Sequence, residues 1–261
     1  MKLFELVDFL ESKLGHPLGD EEYLSYGDAT RDFRNISVSW RIDNHVIQKA
    51  VEHQCDLLVH HEALLHPYPL LERGSEPRTL SWKVNAEKLG ALRDNGLSTF
   101  RLHAAADELF VFKAFADKLG LTPLPRESKN DAYFHRVFRT DLPTFGDLVR
   151  HVKKAMNLPW VRCCGDVSTK IRTVGLPWGG MGLFTNVGET QKLVELGADC
   201  LVCGESDSHA FCYAAEQNLP AMDTSHELSE NPGLAAFSDW LRNHLPVDVV
   251  FIETPCVWRW E

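Results

Sequence analysis

The chain has 261 residues, enough to bury a substantial core as one large or two modest domains. Its 44% hydrophobic and 25% charged content is that of an ordinary globular protein, and a net charge of -10 with no basic stripe to offset it makes nucleic acid an unexpected partner. No apolar run approaches the roughly twenty residues needed to cross a bilayer, and Glu5 and Asp8 interrupt the N-terminal apolar pattern as no signal peptide would, so we expect no membrane partner and a cytoplasmic protein.

In chain order, helices and strands alternate. Leu3, Leu6, Val7, Leu10 and Leu14 recur at helical spacing, and Gly15 with Pro17 stops that helix. Residues 36–42 alternate like a strand. Asp43 or Asn44 can cap the next helix, which runs to about residue 54 and feeds a strand ending at His60. Pro67, Pro69 and Pro77 break the following segment into a loop over about 62–78. A helix over about 80–95 ends at Gly96, a strand over 97–102 delivers His103, and a helix over 108–119 is closed by Gly120.

A polar, proline-containing stretch over about 123–131 marks a boundary between two α/β lobes, 1–124 and 125–261. Beyond it the pattern predicts a strand over 133–139, a helix capped by Thr144 or Pro143, and strands over 160–163 and 171–176. There follow a Gly-rich turn at 179–182, a helix over 187–196, a strand over 199–203, a helix over 208–217 and a strand over 220–223. Pro232-Gly233 suits the start of a helix over 232–244, and a strand over 247–253 completes the order.

Gln48 to Glu62 aligns without gaps with Gln191 to Glu205, and eight of the fifteen positions are identical. A repeat at this long period points to a duplicated lobe rather than a solenoid. Where the first copy has His60-His61, the second has Cys203-Gly204, so the paired imidazoles belong to one lobe.

His60 and His61 end an apolar strand-like run, and two later segments, His103 to Asp107 and His226 to Glu230, each place a carboxylate four residues after a histidine. Any one of these is unremarkable in a chain with 12 histidines and 37 acidic residues. All three lie just beyond predicted strands, where ligands gather at the carboxyl edge of an α/β sheet. Imidazole and carboxylate together suit a divalent metal, and the donors exceed what one four-coordinate ion needs. Adjacent strand residues face opposite ways, so one histidine for each of two ions is the simpler geometry.

Gly179 to Gly182 can offer N–H groups to an anion or can be a tight turn. Seven cysteines form an odd set with no disulfide framework. Cys200 and Cys203 sit on opposite faces of a predicted strand, so they read as buried thiols and not as a joint metal grip.

The order of these segments resembles the Nif-three-like dinuclear metal-binding family, the GTP cyclohydrolase I type 2 homologues or YbgI-like proteins. The likeness runs over nearly the whole chain and is most specific in Leu57 to His61, Leu102 to Asp107, and the stretch from Gly204-Glu205 through His226 and Glu230 to Pro255. It implies two lobes with the metal site in the cleft between them, and a homo-oligomer in the form of a toroidal hexamer. It further implies metal ligands at His60, His61, Asp107, His226 and Glu230, with His103 outside the ligand set. Departures include Glu62 after His-His, where the family has glycine, and Glu227 where it has a second histidine.

Two dications, drawn from Zn, Mn, Fe or Ni, would acidify a water for attack on carbon or phosphorus, with His103 or Glu62 as acid-base help. The expected activity is hydrolysis of a nucleotide or another phosphate-bearing small molecule, for which Arg31, Arg73 and Arg78 are basic candidates. The alternative is a non-catalytic metal-binding module for storage, delivery or regulation.

Overall fold

A computed structural model describes residues 1–67, 77–125 and 132–258. Most of the loop expected over 62–78, with Pro69 and Arg73, lies outside the described residues, as does most of the boundary stretch. The protein is a mixed α/β fold with two sheets, as the alternating pattern predicts.

The chain opens with α1 (Leu3–Leu14), which ends where Gly15 turns left-handed (φ 79) and returns its N–H to Glu11. β1 (Tyr23–Tyr26) and β2 (Asn35–Ser39) follow. Asp43 caps α2 (Asn44–Glu52) by accepting the Val46 N–H at 2.8 Å. β3 (Leu57–His60) is buried at every position, as a central parallel strand must be. After α3 (Pro77–Leu80) and α4 (Lys83–Asp94), Gly96 (φ 63) turns the chain into β4 (Ser98–Arg101).

The helix expected from 108 begins earlier. α5 (Ala104–Ala106) runs into a π-helical turn over Asp107–Val111 and on into α6 (Phe112–Lys118). Wide turns of this kind recur at functional sites because they re-aim side chains. The remainder comprises β5 (Thr122–Pro123), β6 (Val137–Arg139), α7 (Phe145–Ala155) capped by Thr144, β7 (Arg162–Cys164) and β8 (Thr173–Gly175). Then come α8 (Val187–Glu195), β9 (Cys200–Cys203), α9 (Ser208–Glu216), β10 (Ala221–Asp223), α10 (His226–His244) and β11 (Asp248–Phe251).

α10 corrects an expectation, because it starts at His226 and carries Pro232 inside it rather than at its head. The missing proline N–H falls early in the helix, where loss of one bond is offset by twelve further residues of helix.

Two compact units result. One comprises Met1–Phe110 with Gly233–Thr254, the other Val111–Pro232 with Pro255–Glu261. Among the described residues the first unit has a five-stranded sheet in the order β1-β4-β3-β2-β11, parallel except for β1. Ile42, Val46, Ile47, Leu58, Leu92 and Ile252 form a core within it. The second unit has the order β5-β6-β8-β9-β10-β7, parallel over β8-β9-β10 and antiparallel at both edges. Its core includes Val137, Leu193, Leu201, Cys203 and Leu219.

Parallel strands β3 and β4 end side by side, with His60 opposite Arg101. His61, the residue after β3, and His103, the second residue after β4, therefore leave the sheet at neighbouring points.

Candidate metal centre

In the first unit His61, His103 and Asp107 offer ligand atoms that all lie within 4.8 Å of one another. His61 is fully buried and its Nδ1 donates to the Leu102 carbonyl at 3.2 Å, which fixes the tautomer whose Nε2 carries the lone pair. That Nε2 lies 3.6 Å from Asp107 Oδ1. Asp107 is buried at the first position of the π-helical turn, and the His61 and His103 rings stack at 4.4 Å.

His103 is bracketed by carboxylates. Its Nδ1 donates to Glu21, and its Nε2 lies 3.7 Å from Glu62 Oε1. Burial opposes protonation of this ring, but the bonds to Glu21 and Glu62 and the charge of Asp107 outweigh it and push its pKa up to about 10. The same contact with His103 holds the Glu21 carboxyl below its ordinary range. A divalent cation taking the Nε2 lone pair would displace that proton.

His60 is differently occupied. Its Nδ1 donates to the Glu62 carbonyl at 2.7 Å and its Nε2 meets the Ser25 hydroxyl at 2.6 Å, which also contacts Thr99 Oγ1 at 2.6 Å. Burial drives its pKa down to about 3, so the ring is neutral. The structure thus brings His61, His103 and Asp107 together and engages both His60 nitrogens elsewhere.

In the second unit the first turn of α10 sets His226 Nε2 3.3 Å from Glu230 Oε1, while His226 Nδ1 meets Glu205 Oε2 at 3.1 Å. The Gly-rich turn backs onto this pair. A Cβ on Gly179 (φ 49) would overlap the Glu230 carboxylate, and one on Gly180 would come 3.1 Å from the His226 ring. Gly179 spends its own N–H on Ser229 Oγ at 3.0 Å. These glycines make room for two candidate ligands.

Other candidates have ordinary occupations. Arg31 donates to the Gly96 carbonyl at 2.5 Å, and the side chain of Arg78 is outside the described residues. Cys200 and Cys203 are buried free thiols whose pKa values burial raises, as the strand reading expects. Glu21 and Glu22 are not among the residues that the sequence pattern singles out. Glu22 accepts the Ala105 N–H at 3.0 Å, a contact spanning 83 positions, and only an acidic Asp20-Glu21-Glu22 run marks the place.

Imidazoles and carboxylates without thiolate form a donor set that fits a divalent metal ion. No helix among the described residues is long and apolar enough to cross a membrane.

Comparison with known proteins agrees with this architecture. The family model Duf34/NIF3 (NGG1p interacting factor 3) matches residues 1–256. A GTP cyclohydrolase 1 type 2 homolog of Yersinia pestis is 23% identical over 256 residues, covering 94% of this chain and 97% of its own. Another from Clostridium perfringens is 25% identical over 266 residues, with 97% and 95% covered. The solved structure of protein YbgI superposes with a TM-score of 0.78 at 20% identity, covering 98% of this chain and 99% of the other. Reduced HcgD from Methanocaldococcus jannaschii gives 0.70 at 22% identity, with 96% and 97% covered.

Proposed function

Because the chain belongs to the Duf34/NIF3 family, we propose that it binds two divalent metal ions and uses them to hydrolyse a nucleotide or another phosphate-bearing small molecule, in keeping with the name its curated relatives carry. The observation that carries this reading is the convergence of buried His61 and Asp107 with half-buried His103, whose ligand atoms lie within 4.8 Å while the Leu102 carbonyl presets the His61 tautomer.

The proposed ligands are His61, Asp107, His226 and Glu230, with His60 joining them by exchanging the Ser25 hydroxyl for a metal. The ions, Zn, Mn, Fe or Ni, would supply a water acidified towards neutral pH. His103, held between Glu21 and Glu62, is suited to hand a proton to a leaving group, and Glu62 to accept one. The family likeness further supports a homo-oligomer, a hexamer whose mass in light scattering would be six times the 29.6 kDa chain.

The test is a screen of nucleotides and phosphoesters with metal-replete protein, chelator-treated protein and His61→Ala. Hydrolysis lost in both controls is expected. Equal rates in wild type and His61→Ala would overturn the catalytic reading, and metal uptake without turnover would leave a non-catalytic metal-binding module.

A further inference from the structure

Arg101, the last residue of β4, is 1% exposed and ranks with the largest fully buried side chains of the protein. Burying a guanidinium is costly unless its bonds recover the loss of hydration, and an aliphatic side chain would fill the same volume without that cost. Its bonds run to two carbonyls. Nε donates to His61 at 3.2 Å and Nη1 to Glu21 at 3.4 Å, while Nη2 has no hydrogen-bond partner among the described residues.

Both recipients belong to the candidate centre. The His61 carbonyl sits on the residue whose ring faces Asp107 at 3.6 Å. The Glu21 carbonyl sits on the residue whose carboxylate takes the Nδ1–H of His103. The next residue, Glu22, accepts the Ala105 N–H at 3.0 Å, so the 21–22 segment is tied to the helix start as well as to the ring.

We propose that Arg101 and Glu21 form a positioning pair for this centre. Arg101 fixes the strand end bearing His61 and the backbone of Glu21, and the Glu21 carboxylate then orients the His103 ring with Nε2 towards His61 and Asp107. The geometry calls for arginine because its rigid fork reaches two acceptors in set directions, whereas lysine offers a single point of donation. A carboxylate behind an imidazole fixes its orientation, and His103 so held stacks on the His61 ring at 4.4 Å and stands against Asp107, so the pair sets the surroundings of two proposed ligands. The proposal rests on the metal-binding reading above.

The test titrates Co2+ into metal-free protein against a competing chelator, recording affinity, the visible absorption of bound Co2+ and the thermal midpoint, for wild type, Arg101→Lys, Glu21→Ala and Glu21→Gln. Affinity is expected to fall about 10–100-fold in Arg101→Lys and in Glu21→Ala, with an altered Co2+ spectrum. Glu21 is 54% exposed, so Glu21→Ala should keep the wild-type midpoint. Glu21→Gln retains an acceptor for Nδ1–H and should recover part of the affinity. A folded Glu21→Ala protein with wild-type affinity and spectrum would overturn the pair, and it decides the matter even if Arg101→Lys does not fold. Wild type that takes up no Co2+ would overturn the metal reading itself and this proposal with it, whereas normal uptake by wild type and variants alike would overturn the pair alone.

Discussion

The two copies of the repeated segment solve the same problem with the same polar contacts and then part at the strand end. In the first, Gln48 reaches Glu52 at 3.2 Å along α2; in the second, Gln191 reaches Glu195 at 3.2 Å along α8. Asp56 accepts the N–H groups of Arg34 and Asn35, and Asp199 those of Arg172 and Thr173, so each aspartate clasps the start of the neighbouring strand. Each copy ends in a glutamate set against the histidine of the next acid-histidine segment, Glu62 at 3.7 Å from His103 and Glu205 at 3.1 Å from His226. These shared details accompany the sequence repeat residue for residue.

The difference lies in the two residues before that glutamate. His60-His61 put imidazoles at the end of β3, whereas Cys203-Gly204 put a buried thiol and a bare backbone at the end of β9. A Cβ on Gly204 would overlap the Gly179 backbone and come 2.6 Å from Ser229 Oγ. One strand end carries a candidate ligand, and the other is pared down so that the turn can pack behind His226 and Glu230. The lesson is that a repeated scaffold need not repeat its chemistry.

Substitutions can break this comparison. The largest effect is expected for Gly204→Ala, which should destabilise by about 3 kcal/mol or more in urea unfolding because the obstructing atoms are backbone; His61→Ala should cost less than this while abolishing metal uptake by its unit. Next come Asp56→Ala and Asp199→Ala. Each removes an acceptor from two backbone N–H groups, so losses of about 1–3 kcal/mol are expected, larger at half-buried Asp56 than at exposed Asp199. A neutral result at one site with a large one at the other would undo the equivalence of the two clasps. Smallest is Gln48→Ala, expected to shift stability by less than about 0.5 kcal/mol as a surface contact one helical turn apart does, whereas Gln191→Ala should cost more because half-buried Gln191 also accepts from the Tyr213 hydroxyl.

Much of this was legible in the sequence, because period and punctuation are local. The caps Asp43 and Thr144 and the terminators Gly15, Gly96 and Gly120 stand where the pattern placed them. β1 and β5 escaped notice, since Tyr23–Tyr26 is half-buried throughout with no alternation and Thr122–Pro123 is two residues long. The start of α10 was misplaced by reading Pro232 as a helix head, when a proline in the second turn can be carried by a long helix. The spacing of His226 and Glu230 predicts that they meet on one helix face, as they do at 3.3 Å. The different employment of His60 was not legible, because it depends on Ser25, 35 positions away in sequence, and the roles of Glu21 and Arg101 likewise depend on contacts across the sheet.

The most direct test of the metal-binding account is elemental analysis of protein purified without chelators, comparing wild type with His61→Ala and Glu230→Ala at matched folding. The account predicts close to two equivalents of Zn, Mn, Fe or Ni per wild-type chain and a clear deficit in each variant. A metal-free wild type, or variants that retain the full complement, would contradict it.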